Sequence, residues 1–261
     1  MKEHKKNIWS KFIKGIKEYN MIEDGDKIAI GVSGGKDSLL LVKLFQELKK
    51  DKSKNFEIEP IILNPGFKKE DLDKIKNNFE KLEIDYKIFD TDIWKIAFAK
   101  SPENPCFLCA KMRRGILYKK AEELGCNKLA LGHHFDDIIE TVLINMFYSG
   151  SIKTMIPKVK SESGKFELIR PMVYIKEKNI ISYMAKKEIE LLDCGCDFEK
   201  EKTSSKRKEI KDLLTQLEDK NPNIKANIFA SLKNVNLDYI LGYKSNKKEN
   251  NLKINEISKS L

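Results

Sequence analysis

The apolar run Lys27–Val32 (KIAIGV) ends in a glycine turn, Ser33–Ser38 (SGGKDS). The turn opens straight into Ser38–Lys50, where Leu39, Leu40, Leu41, Val42, Leu44, Phe45 and Leu48 mark a well-buried helix. A strand that is apolar along its length must be covered on both faces, and a helix with so broad an apolar face must pack on a core. The alternation then repeats. Phe56–Leu63 (FEIEPIIL) reads as a second strand, with Pro60 marking a bulge or an edge position. Leu72, Ile75, Phe79 and Leu82 fall at helical spacing, and Asp85–Phe89 reads as a third strand. Arg113–Leu124 is helical, Lys128–Leu131 is a fourth strand, Ile138 to Phe147 mark another helix, and Phe166–Arg170 is a short fifth strand before Pro171. Strands alternating with helices predict βαβ units with right-handed crossovers. The expected fold class is α/β, a doubly wound parallel five-stranded sheet, with ligands bound beyond the carboxyl ends of its strands.

Two helical regions flank this sheet. In residues 1–24, Ile8, Trp9, Phe12, Ile13 and Ile16 recur at helical spacing. This predicts a helix docked on the core, with a membrane-surface helix as the alternative. The α/β domain is assigned to residues 25–175 and a helical C-terminal region to 176–243. The stretch 244–261 is polar and is expected to be frayed. No apolar run approaches the roughly 18–20 residues of a spanning helix. The N-terminus also lacks the continuous apolar core of a secretory signal. Five cysteines, an odd number without such a signal, predict a reducing cytoplasm.

The chain of 261 residues carries 50 Lys+Arg against 40 Asp+Glu, a formal charge of +10. That excess suggests a polyanionic partner such as nucleic acid. Only four of the basic residues are arginines, Arg113, Arg114, Arg170 and Arg207. In a lysine-rich chain, arginine marks places where a planar, multi-donor fork is useful.

The glycine turn has the chemistry of an anion site. Gly34 and Gly35 let the backbone come close to a ligand, and the helix start offers free N–H groups and the positive end of its dipole. Ser33, Lys36 and Ser38 add donors. Asp37 fits only if a cation such as Mg²⁺ accompanies the phosphates. The spacing matches neither G-x-x-x-x-G-K-[ST] nor G-x-G-x-x-G. A second polar turn, Gly132-His133-His134-Phe135-Asp136-Asp137, follows the fourth strand, where its aspartates also suit a helix N-terminus.

Cys106-Phe107-Leu108-Cys109 and Cys194-Gly195-Cys196 could share one metal. Spacing alone allows a closed Cys₄ zinc site or an iron–sulfur cluster. Lys111, Arg113 and Arg114 lie close enough in sequence to favour thiolates. Cys126 stands alone and reads as core packing.

Ser33-Gly34-Gly35-Lys36-Asp37-Ser38 resembles the PP-loop of the ATP pyrophosphatases, enzymes that cleave ATP between the α and β phosphates. Cys-x-x-Cys, Arg113-Arg114-Gly115, GHHFDD, Glu140-Thr141, Asn145-Met146-Phe147-Tyr148 and Arg170-Pro171 together resemble the tRNA 2-thiocytidine synthetase (TtcA) family. The resemblance runs from about residue 22 to 235. It implies a HUP-type, Rossmann-like sheet and an ATP-dependent sulfurtransferase that 2-thiolates cytidine 32 of the tRNA anticodon loop through an adenylated base. It implies ATP bound by Ser33, Gly34, Gly35, Lys36, Asp37, Ser38, Leu63, Gly132 and His133, and Mg²⁺ on Asp37. Arg113, Asp137 and Asp37 are the implied catalytic groups. Lys111, Arg114, Arg170 and Arg207 are the implied tRNA contacts. The implied cofactor is a [4Fe–4S] cluster on Cys106, Cys109 and Cys194, or Cys196 in its place. The family's third cysteine lies in a Cys-x-x-Cys context, which Cys194-Gly195-Cys196 does not reproduce. The expected partners are tRNA and a sulfur donor, either a cysteine desulfurase or free sulfide, with no membrane and with a homodimer allowed. The alternatives are a thiolase of the 2-thiouridine type and a PP-loop ligase that adenylates a small carbonyl or carboxylate compound.

Overall fold

The structure, a computed structural model, describes residues 5–50, 55–103, 105–161, 164–187, 189, 205–245 and 248–251. The chain forms two compact units, residues 1–211 and 212–261.

In the first unit a π-helical turn, Lys5–Trp9, leads into α1 (Ser10–Glu18). There follow β1 (Lys27–Val32), α2 (Lys36–Lys50), β2 (Glu57–Asn64), α3 (Lys69–Lys81), β3 (Lys87–Asp90), α4 (Ile93–Lys100) and α5 (Pro105–Glu123). Then come β4 (Lys128–Ala130), α6 (Phe135–Ser149), β5 (Lys158–Lys160), β6 (Glu167–Ile169), α7 (Glu177–Ala185) and α8 (Ser205–Lys220). The sheet order is β3-β2-β1-β4-β6-β5, parallel throughout except for β5, which runs antiparallel to β6. The chain leaves β1 toward β2 on one side and later returns to β4 on the other. The β1/β4 boundary is therefore the switch point at which doubly wound sheets bind ligands.

The α/β class agrees with the sequence-based expectation, but the five-stranded sheet is corrected to six. β5 is a three-residue edge strand, KVK, with half-buried and exposed positions. Its pairing with β6 is set by tertiary contact and leaves no apolar run to read. Pro60 lies within β2, opposite Ile30 of β1 and one residue before pairing with β3 begins at Ile61. At that point the strand has a neighbour on one side only, which agrees with the edge expectation.

Burial follows the apolar pattern. Leu39, Leu40, Leu41, Val42, Leu44 and Phe45 are fully buried, as are Ile28, Ala29 and Ile30 of β1. α1 docks on this core through Phe12, whose ring meets Phe45 edge-on at 5.5 Å. A Cβ on Gly15 would stand 2.6 Å from the Pro171 carbonyl oxygen, so only glycine allows α1 so close to the turn after β6.

In the second unit Lys225 of α9 (Ile224–Ser231) pairs with Glu218 of α8 at 2.7 Å. β7 (Gly242–Ser245) pairs antiparallel with β8 (Lys248–Asn251). Within the stretch expected to be frayed, residues 244–245 and 248–251 are therefore strand, and the rest of 244–261 lies outside the described residues. The hairpin is polar and has no alternating apolar face to announce it. Among the described residues no helix is long and apolar enough to cross a membrane.

Candidate active site

β1 and β4 end side by side, and each delivers one polar turn to the same place. After β1, Gly34 takes φ +83°, a conformation that suits glycine. Ser38 Oγ accepts from Ser33 N at 3.2 Å and donates to the Gly35 carbonyl at 2.9 Å, which folds the turn over the first residues of α2. After β4, Gly132 packs directly on that helix start. A Cβ there would lie 3.2 Å from both the Asp37 carbonyl carbon and the Ser38 nitrogen. The two turns thus form one surface, with the α2 N-terminus and its dipole at the centre.

A cavity of about 390 Å³ opens beside them, within the usual size range of small-ligand pockets. Ser33, Asp37, Ser38, Gly132, His133 and Asp137 form its polar wall. Ile61, Leu63, Phe67, Leu117, Tyr118 and Leu131 form its apolar wall, and Arg113 and Arg114 enter from α5. Phe67 is placed by Asn64 at the end of β2. The Asn64 side-chain oxygen accepts from the Gly66 and Phe67 amides at 3.0 and 2.7 Å. Trp94 supports the Phe67 ring edge-on at 5.4 Å.

The electrostatics fit an anion together with a cation. Lys36 Nζ lies 3.2 Å from Asp37 Oδ2 and 3.0 Å from Glu177 Oε1. Burial disfavours the Lys36 ammonium, but Asp37 and Glu177 outweigh that and hold its pKa above the ordinary value. Burial pushes Asp37 upward, and His134 and Lys36 do not pull it back to the ordinary carboxylate range. Asp37 Oδ1 is buried without a hydrogen-bond partner, as is Nδ1 of His134. His134 Nε2 stands between Asp37 Oδ1 at 3.7 Å and Asp137 Oδ2 at 3.5 Å. A costly, unpartnered buried carboxylate oxygen beside a second carboxylate is what a Mg²⁺ site would offer before the metal arrives.

His133 is held neutral. Burial, with Arg170 beside it, depresses its pKa to about 4. Arg170 Nε donates to His133 Nδ1 at 3.3 Å, so the remaining ring proton resides on Nε2. Arg207 donates to Glu140 Oε2 at 2.7 Å and to Asp137 Oδ1 at 3.1 Å. Burial pushes Glu140 upward in spite of Lys211 and Arg207.

Cys106 and Cys109 fall on the first turn of α5, behind Pro105 at its first position, and both are half-buried. That helix start lies earlier than the expected Arg113. Cys106, Cys109, Arg113 and Leu117 recur every three or four residues and so share one face. Arg113 and Leu117 line the cavity, which sets the two thiols about one to two turns further along the pocket-facing side. A helix N-terminus and nearby cations favour thiolates, which suits a cluster or metal. Cys194 and Cys196 lie outside the described residues, and among the described residues no three His, Cys, Asp or Glu side chains converge on one metal.

The expected residues thus divide. Ser33, Asp37, Ser38, Leu63, Arg113, Arg114, Gly132, His133 and Asp137 meet at the cavity, with Gly34 and Gly35 in the turn that borders it. Lys36 turns instead to Glu177. Lys111 is exposed on α5, Arg170 faces His133, and Arg207 faces two carboxylates. Phe67, Tyr118 and Glu177 join the site without any sequence signal that marked them, and Lys211, one of a run of lysines, gains a specific partner in Glu177. Glu140 likewise gained no role from the sequence, although Asp137 and Glu140, three apart, had to share a face of α6.

Residues 4–214 match the PP-loop domain family. The chain is 40% identical over 227 residues to the tRNA-cytidine(32) 2-sulfurtransferase of Ralstonia pickettii, covering 85% of this chain and 70% of that protein. It is 39% identical over 228 residues to the enzyme of the same name from Alcanivorax borkumensis, covering 85% and 78%. Among solved structures it resembles the U34-tRNA thiolase NcsA from Methanococcus maripaludis with its [4Fe–4S] cluster, at a TM-score of 0.71 and 25% identity over 91% of this chain and 81% of that one. Matches of this extent make the chain a member of the PP-loop family, on its tRNA-cytidine(32) 2-sulfurtransferase branch.

Proposed function

We propose that the chain is an ATP-dependent sulfurtransferase that replaces the C2 oxygen of cytidine 32 in tRNA by sulfur. The supporting observation is the convergence of three parts on one cavity: the Ser33–Ser38 turn, the Gly132–Asp137 turn, and the helix that begins with Cys106 and Cys109.

Ser33, Ser38 and the backbone N–H groups of Gly34, Gly35 and Lys36 hold the ATP phosphates, with Lys36 adding charge. Leu63 and its apolar neighbours receive the adenine, and Gly132 and neutral His133 border the nucleotide. Asp37, with Asp137 beside it, holds Mg²⁺. The base oxygen attacks the α-phosphorus, the α–β bond breaks, and pyrophosphate leaves with its charge neutralised by these groups. The adenylated oxygen is then a leaving group. A sulfur nucleophile adds at C2, and AMP departs with the original oxygen. Arg113, whose Nε is buried without a partner, is aimed to steady the charge on the activated base. Cys106, Cys109 and Cys194, or Cys196 in its place, would hold a [4Fe–4S] cluster, which would supply the sulfur for this displacement.

Lys111 and Arg114 contact tRNA phosphates. Arg170 and Arg207 reach tRNA only with the donors left over from His133, Asp137 and Glu140. The target base has to leave the anticodon-loop stack to reach the cavity. Sulfur reaches the site as free sulfide or as the persulfide of a cysteine desulfurase, the reaction runs in the cytoplasm, and two copies can act as a homodimer.

Nucleoside mass spectrometry of tRNA from cells with and without the gene tests this. Loss of 2-thiocytidine on deletion is the expected result. Unchanged 2-thiocytidine in an organism that makes it overturns the proposal. Loss of 2-thiouridine moves the chain to the U34 branch, and AMP release without tRNA moves it to the small-molecule ligases.

A further inference from the structure

The ionisable groups around the PP-loop close into a ring, of which the nucleotide chemistry above uses only Lys36, Asp37 and Asp137. Lys36 meets Glu177 at 3.0 Å, and Glu177 meets Lys211 at 3.1 Å through its other oxygen. Lys211 faces Glu140 at 3.7 Å, Glu140 holds Arg207 at 2.7 Å, and Arg207 holds Asp137 at 3.1 Å. His134 stands between Asp137 and Asp37, and Asp37 returns to Lys36. The ring ties together the starts of α2, α6, α7 and α8. Its geometry is fixed from below: Asp136 of α6 accepts the Glu177 amide at 2.7 Å, and the Ile175 carbonyl accepts the Phe135 amide at 3.0 Å.

Two members of the ring occupy places that a nucleotide and its metal need. A Glu177 oxygen sits on the PP-loop lysine, as a phosphate oxygen would. The Arg207 guanidinium sits on Asp137, as a cation would. Each has a second partner, Lys211 for Glu177 and Glu140 for Arg207. Displacing either one from the site therefore leaves no buried charge uncompensated, which is the costly outcome when an ion pair is broken outright. The exchange is cheap because the alternative pairs are already formed.

We infer that Glu177 is a stand-in ligand for Lys36, a positioning residue that holds the PP-loop lysine in place until ATP displaces it onto Lys211, with Arg207 acting in the same way on Asp137. Glu177 therefore competes with ATP phosphate, and Lys211 sets how strongly it competes. The inference rests on the nucleotide-site part of the proposed function.

Calorimetric titration of Mg–ATP into the full-length chain tests it, with thermal unfolding as a check on folding. Glu177→Asp keeps the charge and its favourable place in the first turn of α7 but withdraws the carboxylate by one methylene. It is expected to bind Mg–ATP about fivefold more tightly, as Glu177→Gln is, since a partly buried ion pair of this kind is worth on the order of 1 kcal/mol. Lys211→Gln, a half-exposed surface change, is expected to bind about threefold more weakly, because Glu177 is left with Lys36 alone. A Glu177→Asp affinity equal to that of the native chain means that only the field of the charge matters and overturns the inference. So does a Lys211→Gln affinity that is unchanged or tighter, even if the Glu177 variants fail to fold. If the native chain itself does not bind Mg–ATP, the proposed function fails with it.

Discussion

The two ends of β1 and β4 carry polar clusters of similar composition and opposite character. At the strand starts, Lys128 Nζ lies 2.8 Å from Asp26 Oδ2, 3.6 Å from Glu23 and 3.8 Å from Glu167. Asp26 also accepts from the Asn127 side chain at 2.8 Å and from the Glu23 amide at 2.6 Å. Burial pushes the Asp26 pKa up, yet the Glu23 amide, Lys128 and Asn127 outweigh it and hold the carboxyl below its ordinary value. At the strand ends, Asp37 is only half-buried, but its buried Oδ1 has no hydrogen-bond partner and its pKa stays raised. Lys128 Nζ is itself buried outside hydrogen-bond geometry, but three carboxylates stand at ion-pair distance, so the lower cluster balances its own charge. The upper one leaves capacity for a ligand, and the cost of doing so marks it as the candidate site.

The sharpest way to break this contrast is at Asp37. Asp37→Asn is expected to lower ATP-dependent thiolation by about two to three orders of magnitude while leaving unfolding stability equal or higher. A large stability loss in denaturant titration would show that the upper cluster is structural after all. The mirror experiment is Lys128→Met, which strands a buried carboxylate at Asp26. It is expected to cost about 3–5 kcal/mol in urea unfolding with unchanged turnover per folded molecule. The pair Asp26→Leu with Lys128→Met is expected to recover most of that loss, and failure to recover would show that the cluster does more than pair charges.

pH separates the clusters with a smaller effect. Asp26, with its folded pKa depressed, adds stability that is present above its unfolded value of about 3.8 and is lost as pH falls through the folded pKa. His133, depressed to about 4, binds its proton first in the unfolded chain, so stability also falls as pH drops from about 6.5 to about 4. Asp37 has the opposite sign, because its raised folded pKa takes stability away as pH rises above about 3.8. The stability difference between Asp37→Asn and the native chain is therefore expected to be near zero in acid and to grow in favour of the variant toward neutral pH. A difference that shrinks on that path would contradict the burial argument. The smallest effect is expected at Gly132→Ala, whose Cβ must push the α2 start by a few tenths of an ångström. A few-fold weaker Mg–ATP affinity at unchanged global stability is the expected reading in calorimetry.

Legibility tracked sequence separation. Lys27–Val32, the Ser33–Ser38 turn and the Gly132–Asp137 turn are local patterns, and each landed where the alternation of strands and helices requires. Leu63 came only from the family resemblance, and the structure sets it next to last in β2, on the cavity wall. Phe67 is set by an Asn64 turn whose effect depends on where β2 stops, and Glu177 reads in isolation only as an acid in a helix first turn. β5, too short and too polar to show a period, is defined by its partner alone.

The order of residues was enough to determine the class of fold, the two polar turns at the strand ends and the Cys-x-x-Cys pair, though not the pair's place at the head of α5. These follow from apolar periodicity and from chemistry confined to a few neighbouring residues. Folding decided which charges meet. Lys36 and Glu177 are 141 positions apart, and Asp137 and Arg207 are 70 apart. Whether a charge ends up paired, stranded or waiting for a ligand depends on what the sheet and its crossovers bring within a few ångströms of it, and local spacing carries no record of that.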